Sequence, residues 1–175
     1  MYTVAALIYP DALATSVTLP MEILSAAAQT ARGQRRTAPG VRFLLAADTA
    51  GAVTLDNGLT LECPVSQWEL PALDLLILPA IWRTPLPTVR RCAAWLPQLQ
   101  AIAAAGTRIC SVGTASSLLA EAGLLDGRPA TTHWNYFERF LRRYPQVHLK
   151  TRHLITQSDN IYCVGSVNSI ADLCV

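Results

Sequence analysis

Apolar residues in this chain come in short unbroken runs, punctuated by proline and glycine, and the runs alternate with stretches of helical spacing. Val4 to Tyr9, Val41 to Ala47, Leu73 to Leu78 and Arg108 to Val112 are such runs. Their length and near-continuous hydrophobicity predict strands covered on both faces. Pro10 ends the first and Pro79 the third. Ala52 to Leu55 and Leu59 to Glu62 flank Asp56-Asn57-Gly58, a hairpin signal. Val147 to Leu149, Leu154 to Thr156 and Ile161 to Val164 predict short final strands.

The intervening segments predict helices. Met21 to Ala28 has helical spacing, with Pro20 suited to its first turn. Thr88 to Ala105 centres on Trp95, and Pro97 kinks this helix or shifts its start. Gly106 ends it, and Gly123 closes another helix over Ala115 to Ala122. Trp134 to Tyr144 is amphipathic, with Trp134, Phe137 and Leu141 at helical spacing. At the end of the chain Ser166 is a candidate cap for a helix bearing Val167, Ile170, Leu173 and Cys174. That pattern runs to Val175 without a C-cap, which predicts that the helix belongs to a longer protein.

Strands alternating with helices imply an α/β fold, a mostly parallel sheet covered on both faces with one hairpin insertion. Ligands in such sheets sit at the carboxyl ends of the strands, near the switch point. The segments Tyr9 to Ser16, Pro79 to Arg83 and Gly113 to Ser116 are therefore the ones to inspect. The length of 175 residues suits one domain. With 51% hydrophobic and 15% charged residues the chain has enough apolar surface for a buried core. A net charge of +2 argues against nucleic-acid binding by this segment alone, since phosphate binding needs a basic stripe. Five cysteines lie scattered without a C-x-x-C pair, and the three histidines are far apart, so neither a metal site nor a cofactor is expected. The odd, unframed cysteine count fits reduced thiols and a cytoplasmic location. No signal peptide and no membrane span are read from the apolar runs.

The chemistry-bearing segment is RICSVGTASSLLAEAGLLDG. A strand over Arg108 to Val112 meets a helix with no loop between. In hydrolase-type α/β folds such a turn presents a nucleophile in a strained conformation, beside a backbone N–H that stabilises an oxyanion. Here the tip is Gly113, which has no side chain.

The run SVGTASSLLAEAGLLDGRPATTHW resembles the segment shared by the amidotransferase-like (PfpI/ThiJ) domains of AraC-family transcription regulators. IYPDALATSVTLPMEIL resembles the first strand and helix of that family, with its Pro-x-Glu, and LDLLILPAIW the strand leading to its Pro-Gly-Gly loop. The resemblance covers about residues 4 to 175. It implies a three-layer flavodoxin-like, class I glutamine amidotransferase-like sandwich, a homodimer, and a helix-turn-helix DNA-binding region beyond this chain. Three departures matter. Gly113 stands where the family has cysteine, Ala80-Ile81 replaces the Gly-Gly and should crowd an oxyanion pocket, and Ser16 replaces an acidic residue of the first loop. Glu22 and His133 are retained.

The resemblance therefore implies a catalytically inactive, ligand-sensing domain. Its expected ligand-binding residues are Glu22, Trp82, Gly113, Thr114, His133 and Trp134, with Glu22 a partly buried acid at the pocket floor. Trp82, Trp134 and Tyr9 are expected to line a pocket over Gly113. Aromatic faces suit a cationic effector, an amino acid or a quaternary amine. A residual hydrolase or amidase, and a pure dimerisation scaffold with the pocket closed by Ile81 and Trp82, are the alternatives. An enzyme would need a nucleophile touching a base, and Thr114 lies off the tip of the turn.

Overall fold

Val41–Ala47 and Arg108–Val112 form strands over the same residues that the apolar runs mark. The computed structural model describes residues 1–175. Its elements are β1 (Tyr2–Leu7), α1 (Thr15–Gln34), β2 (Val41–Ala47), β3 (Gly51–Thr54), β4 (Thr60–Cys63), β5 (Val65–Ser66) and β6 (Leu75–Leu78). They continue with α2 (Leu86–Arg91), α3 (Leu96–Ala104), β7 (Arg108–Val112), α4 (Ser116–Glu121), β8 (Pro129–Ala130) and α5 (Phe137–Arg143). The last are β9 (His148–Leu149), β10 (Ile155–Ser158), β11 (Ile161–Val164) and α6 (Ser169–Cys174).

Seven strands form one sheet in the order β10-β11-β7-β6-β1-β2-β5. Every pairing in it is parallel except that of edge strand β10 with β11. The central order β2-β1-β6-β7-β11 is the flavodoxin-like arrangement, with its switch point where β1 pairs with both β2 and β6. α1 packs with α6, and α2 and α3 each pack with α4, which makes the three-layer sandwich. Leu76, Leu78, Ile109, Leu118 and Leu119 are wholly buried between sheet and helices. The hairpin β3–β4 turns at the expected Asp56-Asn57-Gly58, with Gly58 at φ 87°. No helix is long and apolar enough to cross a membrane.

Four helix readings need correction. α1 starts at Thr15, so Pro20 lies inside it and not in its first turn. The cause is an anchor upstream. Ser16 Oγ donates to the Leu13 carbonyl at 2.6 Å, and the Ser16 and Val17 N–H groups bond back to Leu13 and Ala14 in a tight turn. The helix over Thr88 to Ala105 is three pieces, α2, a 3₁₀ turn at Ala93–Trp95, and α3, whose first turn takes Pro97. Trp134–Tyr136 is also a 3₁₀ turn, and its three-residue period shifts the buried face. Tyr136, Phe140 and Tyr144 face the core, while Trp134 and Leu141 are exposed. At the other end of the chain Ser166 Oγ accepts the Ser169 N–H at 3.3 Å, but α6 begins at Ser169, so Asn168 and not Ser166 takes the cap position.

All five cysteines are free thiols, and Cys63, Cys92, Cys110 and Cys163 are buried. Burial pushes the Cys92 thiol from its ordinary 9.0 up to about 12, despite the Arg91 cation nearby. A proton held in the fold but lost near 9 by the unfolded chain stabilises the fold fully below pH 9. That contribution disappears as pH rises toward the folded value. Urea unfolding should therefore show stability falling between pH 9 and about 12. Cys92→Ala should make the decline shallower, by up to about 1.4 kcal/mol per pH unit.

Candidate functional site

β7 passes directly into the helical layer. Val112 is extended, with φ −107° and ψ 126°, and Gly113 opens a 3₁₀ turn that runs through Ala115 into α4. Gly113 has φ 54°, the left-handed region that residues with a Cβ enter at a cost. The turn is pinned from two sides. The Gly113 carbonyl accepts the Ser116 hydroxyl at 3.1 Å and the Thr132 hydroxyl at 3.2 Å. All of Ser116 to Ala120 is buried behind it.

Two further loops close around this tip. The Leu13 N–H donates to the Ala80 carbonyl at 2.8 Å and the Trp82 N–H to the Asp11 carbonyl at 2.7 Å. The Ala80 N–H in turn donates to Ser16 Oγ at 2.9 Å. Ser16, where the resemblance has an acid, is therefore a buried brace between the loops after β1 and β6. Thr114 Oγ1 donates to the Ile81 carbonyl at 3.0 Å. His133 Nδ1 accepts the Asn135 N–H at 3.4 Å.

Above Gly113 lies an open cavity of about 460 Å³. Its lining includes Trp82, Arg83, Gly113, Thr114, His133 and Asn135. A Cβ on Gly113 would meet the Ala80 Cβ at 3.6 Å and the His133 Cβ at 4.0 Å, both ordinary contacts.

Of the six residues expected to bind ligand, Trp82, Gly113, Thr114 and His133 share this cavity. Glu22 and Trp134 do not. Glu22 is exposed on α1 and is no pocket-floor acid. Trp134 is 71% exposed, its ring lying against His133 at 5.5 Å between centroids. Tyr9 is also elsewhere, buried beside Trp95, with its hydroxyl donating to the Pro79 carbonyl. Burial holds that phenol well above its usual titration range. The aromatic cage expected over Gly113 thus reduces to Trp82 alone.

Asn135 and the segment Ser166 to Asn168 join the lining unexpected, and Arg83 joins it from the Pro79 to Arg83 segment that the sequence marks for inspection. Arg83 closes the segment at the end of β6. Ser166 to Asn168 follow β11, which pairs in parallel with β7 and so ends on the same edge. That pairing was the missed signal.

No family model matches the chain. The HTH-type transcriptional regulator CdhR of Pseudomonas aeruginosa is 32% identical over 127 residues, 73% of this chain and 37% of the regulator. Isonitrile hydratase of Pseudomonas putida is 25% identical over 166 residues, 95% of this chain and 66% of the hydratase. Among solved structures, a THiJ/PfpI family protein from Pseudomonas syringae superposes with a TM-score of 0.79 at 22% identity, over 99% of this chain and 66% of that one. The chain has the ThiJ/PfpI-like fold. An AraC family transcriptional regulator from Pseudomonas putida shares the fold, with a TM-score of 0.73 at 24% identity over 99% of this chain and 89% of that one. The domain spans less than two thirds of the length of both curated relatives, one a regulator and the other an enzyme.

Two substitutions test the construction of the site. Ser16→Ala leaves the Ala80 N–H without its buried acceptor and should cost about 1–3 kcal/mol in urea unfolding. Gly113→Ala has room for its methyl group, so only the left-handed backbone opposes it. Its expected cost is about 1 kcal/mol, and a loss several times larger would mean that the turn is packed differently.

Proposed function

We propose that this ThiJ/PfpI-like domain is the ligand-sensing and dimerisation domain of an AraC-type regulator and performs no covalent chemistry. The observation that carries this reading is Gly113. It occupies the strained tip of the turn, faces a cavity of about 460 Å³, and offers space with no nucleophile. Thr114 does not replace one, because its buried hydroxyl is committed to the Ile81 carbonyl. His133 then has no partner to deprotonate, and the hydrolase or amidase reading lacks its first step. The scaffold reading requires a pocket closed by Ile81 and Trp82, and this one is open.

A small effector at the strand ends stabilises whichever arrangement of two subunits binds it better, and so biases DNA contact made elsewhere in the protein. This reading places the protein in the cytoplasm as a homodimer. DNA contact belongs to a helix-turn-helix region outside this chain, in keeping with the similarity to a regulator of that type.

Thermal melting with amino acids, quaternary amines and small organic acids tests the sensing role. A ligand at 100 times its Kd stabilises the folded state by about 2.7 kcal/mol, so at least one class should raise the melting temperature. Flat melting across all classes overturns it. Alkylation followed by mass spectrometry tests the absence of chemistry. Gly113→Cys should gain a modified residue at position 113, whereas an electrophilic probe of serine and threonine nucleophiles should leave the wild-type turn unlabelled. Modification of Thr114 in the wild type would restore the enzyme reading.

A further inference from the structure

The cavity above Gly113 contains no carboxylate. None of its lining residues is Asp or Glu, and the one retained acid expected there, Glu22, lies exposed on α1. It does contain a cation, Arg83, together with the ring of His133 and the amide of Asn135. Arg83 makes no salt bridge, so no carboxylate of the protein neutralises it. Its backbone adds a second observation. Arg83 has φ 64°, one of two non-glycine residues in the left-handed region. The other, Asp159, lies between β10 and β11, a tight-turn position where Asp enters that region readily. Arg83 has no such local reason. Strain of this kind persists where the surroundings hold a residue in place, and it clusters at ligand-binding positions.

We propose that the cavity binds a small carboxylate, with Arg83 as its charge partner. This rests on the sensing role above and narrows its ligand class. A guanidinium presents paired N–H donors that match the two oxygens of a carboxylate. His133 and Asn135 stand on the same cavity as further polar partners. Leu13, Ile81 and Val167 give the remainder an apolar wall, so the ligand carries a short hydrocarbon body beside its charge. A single guanidinium suits a monoanion better than a phosphate dianion. Asp56 lines a separate cavity that shares Leu13 and Trp82 with this one. A purely cationic effector would have to sit beside Arg83 with no carboxylate in the lining.

Calorimetric titration with matched probes decides the point. Butyrate and benzoate supply the carboxylate, butyramide the same body without charge, choline a quaternary cation, and inorganic phosphate a compact anion. Butyrate and benzoate should bind and compete with each other, with butyramide, choline and phosphate at least tenfold weaker. Arg83→Gly should weaken the carboxylates at least tenfold. Glycine suits the left-handed backbone, so this variant should melt no lower than the wild type, which separates lost binding from lost folding. Unchanged affinity in Arg83→Gly overturns the proposal, as does choline, butyramide or phosphate binding as tightly as the carboxylates. Silence of the carboxylates overturns it alone if another class raises the melting temperature. If no class does, the sensing role fails with it.

Discussion

Because β7 runs into the helical layer without a loop, one residue must turn the chain, and sterics place that residue in the left-handed region. Gly113 takes the position at φ 54°. The Thr132 and Ser116 hydroxyls on its carbonyl fix the turn, and the buried residues of α4 anchor the helix behind it. The location of the cavity depends on this constraint. A looser connection would move Thr114 off Ile81 and separate Gly113 from His133. In hydrolase-type α/β folds the same geometry exposes a nucleophile. In this chain it exposes backbone and empty space.

The second dependence is on the loops after β1 and β6. Neither is held by a regular element of its own. They are tied to each other through Leu13, Ala80, Trp82 and Asp11, and the Ser16 hydroxyl closes the set. A serine at that place satisfies a buried N–H, which a carboxylate could also do, but the serine brings no charge. The electrostatics of the cavity change with that one residue, while the loop geometry remains satisfied.

The parallel strands were legible because each is an apolar run bounded by proline, glycine or a polar residue, and burial on both faces demands such a run. The helices were less so. α1 begins where a side-chain anchor at Ser16 starts it, upstream of its apolar periodicity. The face of the Trp134 segment was misjudged because a 3₁₀ turn breaks the α-helical phase before α5 begins. In the site, Gly113 and His133 were found because each sits at a strand-to-helix junction whose position the sequence marks. Glu22 was misplaced because a motif match gives its neighbours in sequence and not the side of α1 on which it falls. Arg83 lay in a segment marked for inspection, but nothing in its local sequence calls for a positive φ. Only the three-dimensional course of the loop after β6 imposes it.

Losing a nucleophile and losing a carboxylate are separate changes with a common physical result. A thiol at the tip would occupy space and, ionised, would repel an anion. A carboxylate at the position of Ser16 would add a buried negative charge beside the Ala80 N–H. With glycine and serine in those places, Arg83 stands on the cavity with no negative side chain in the lining to neutralise it. Nucleophilic chemistry needs a nucleophile within reach of a base, whereas a guanidinium recognises an anion without either. The two departures at the heart of the site agree with each other, and they point to binding.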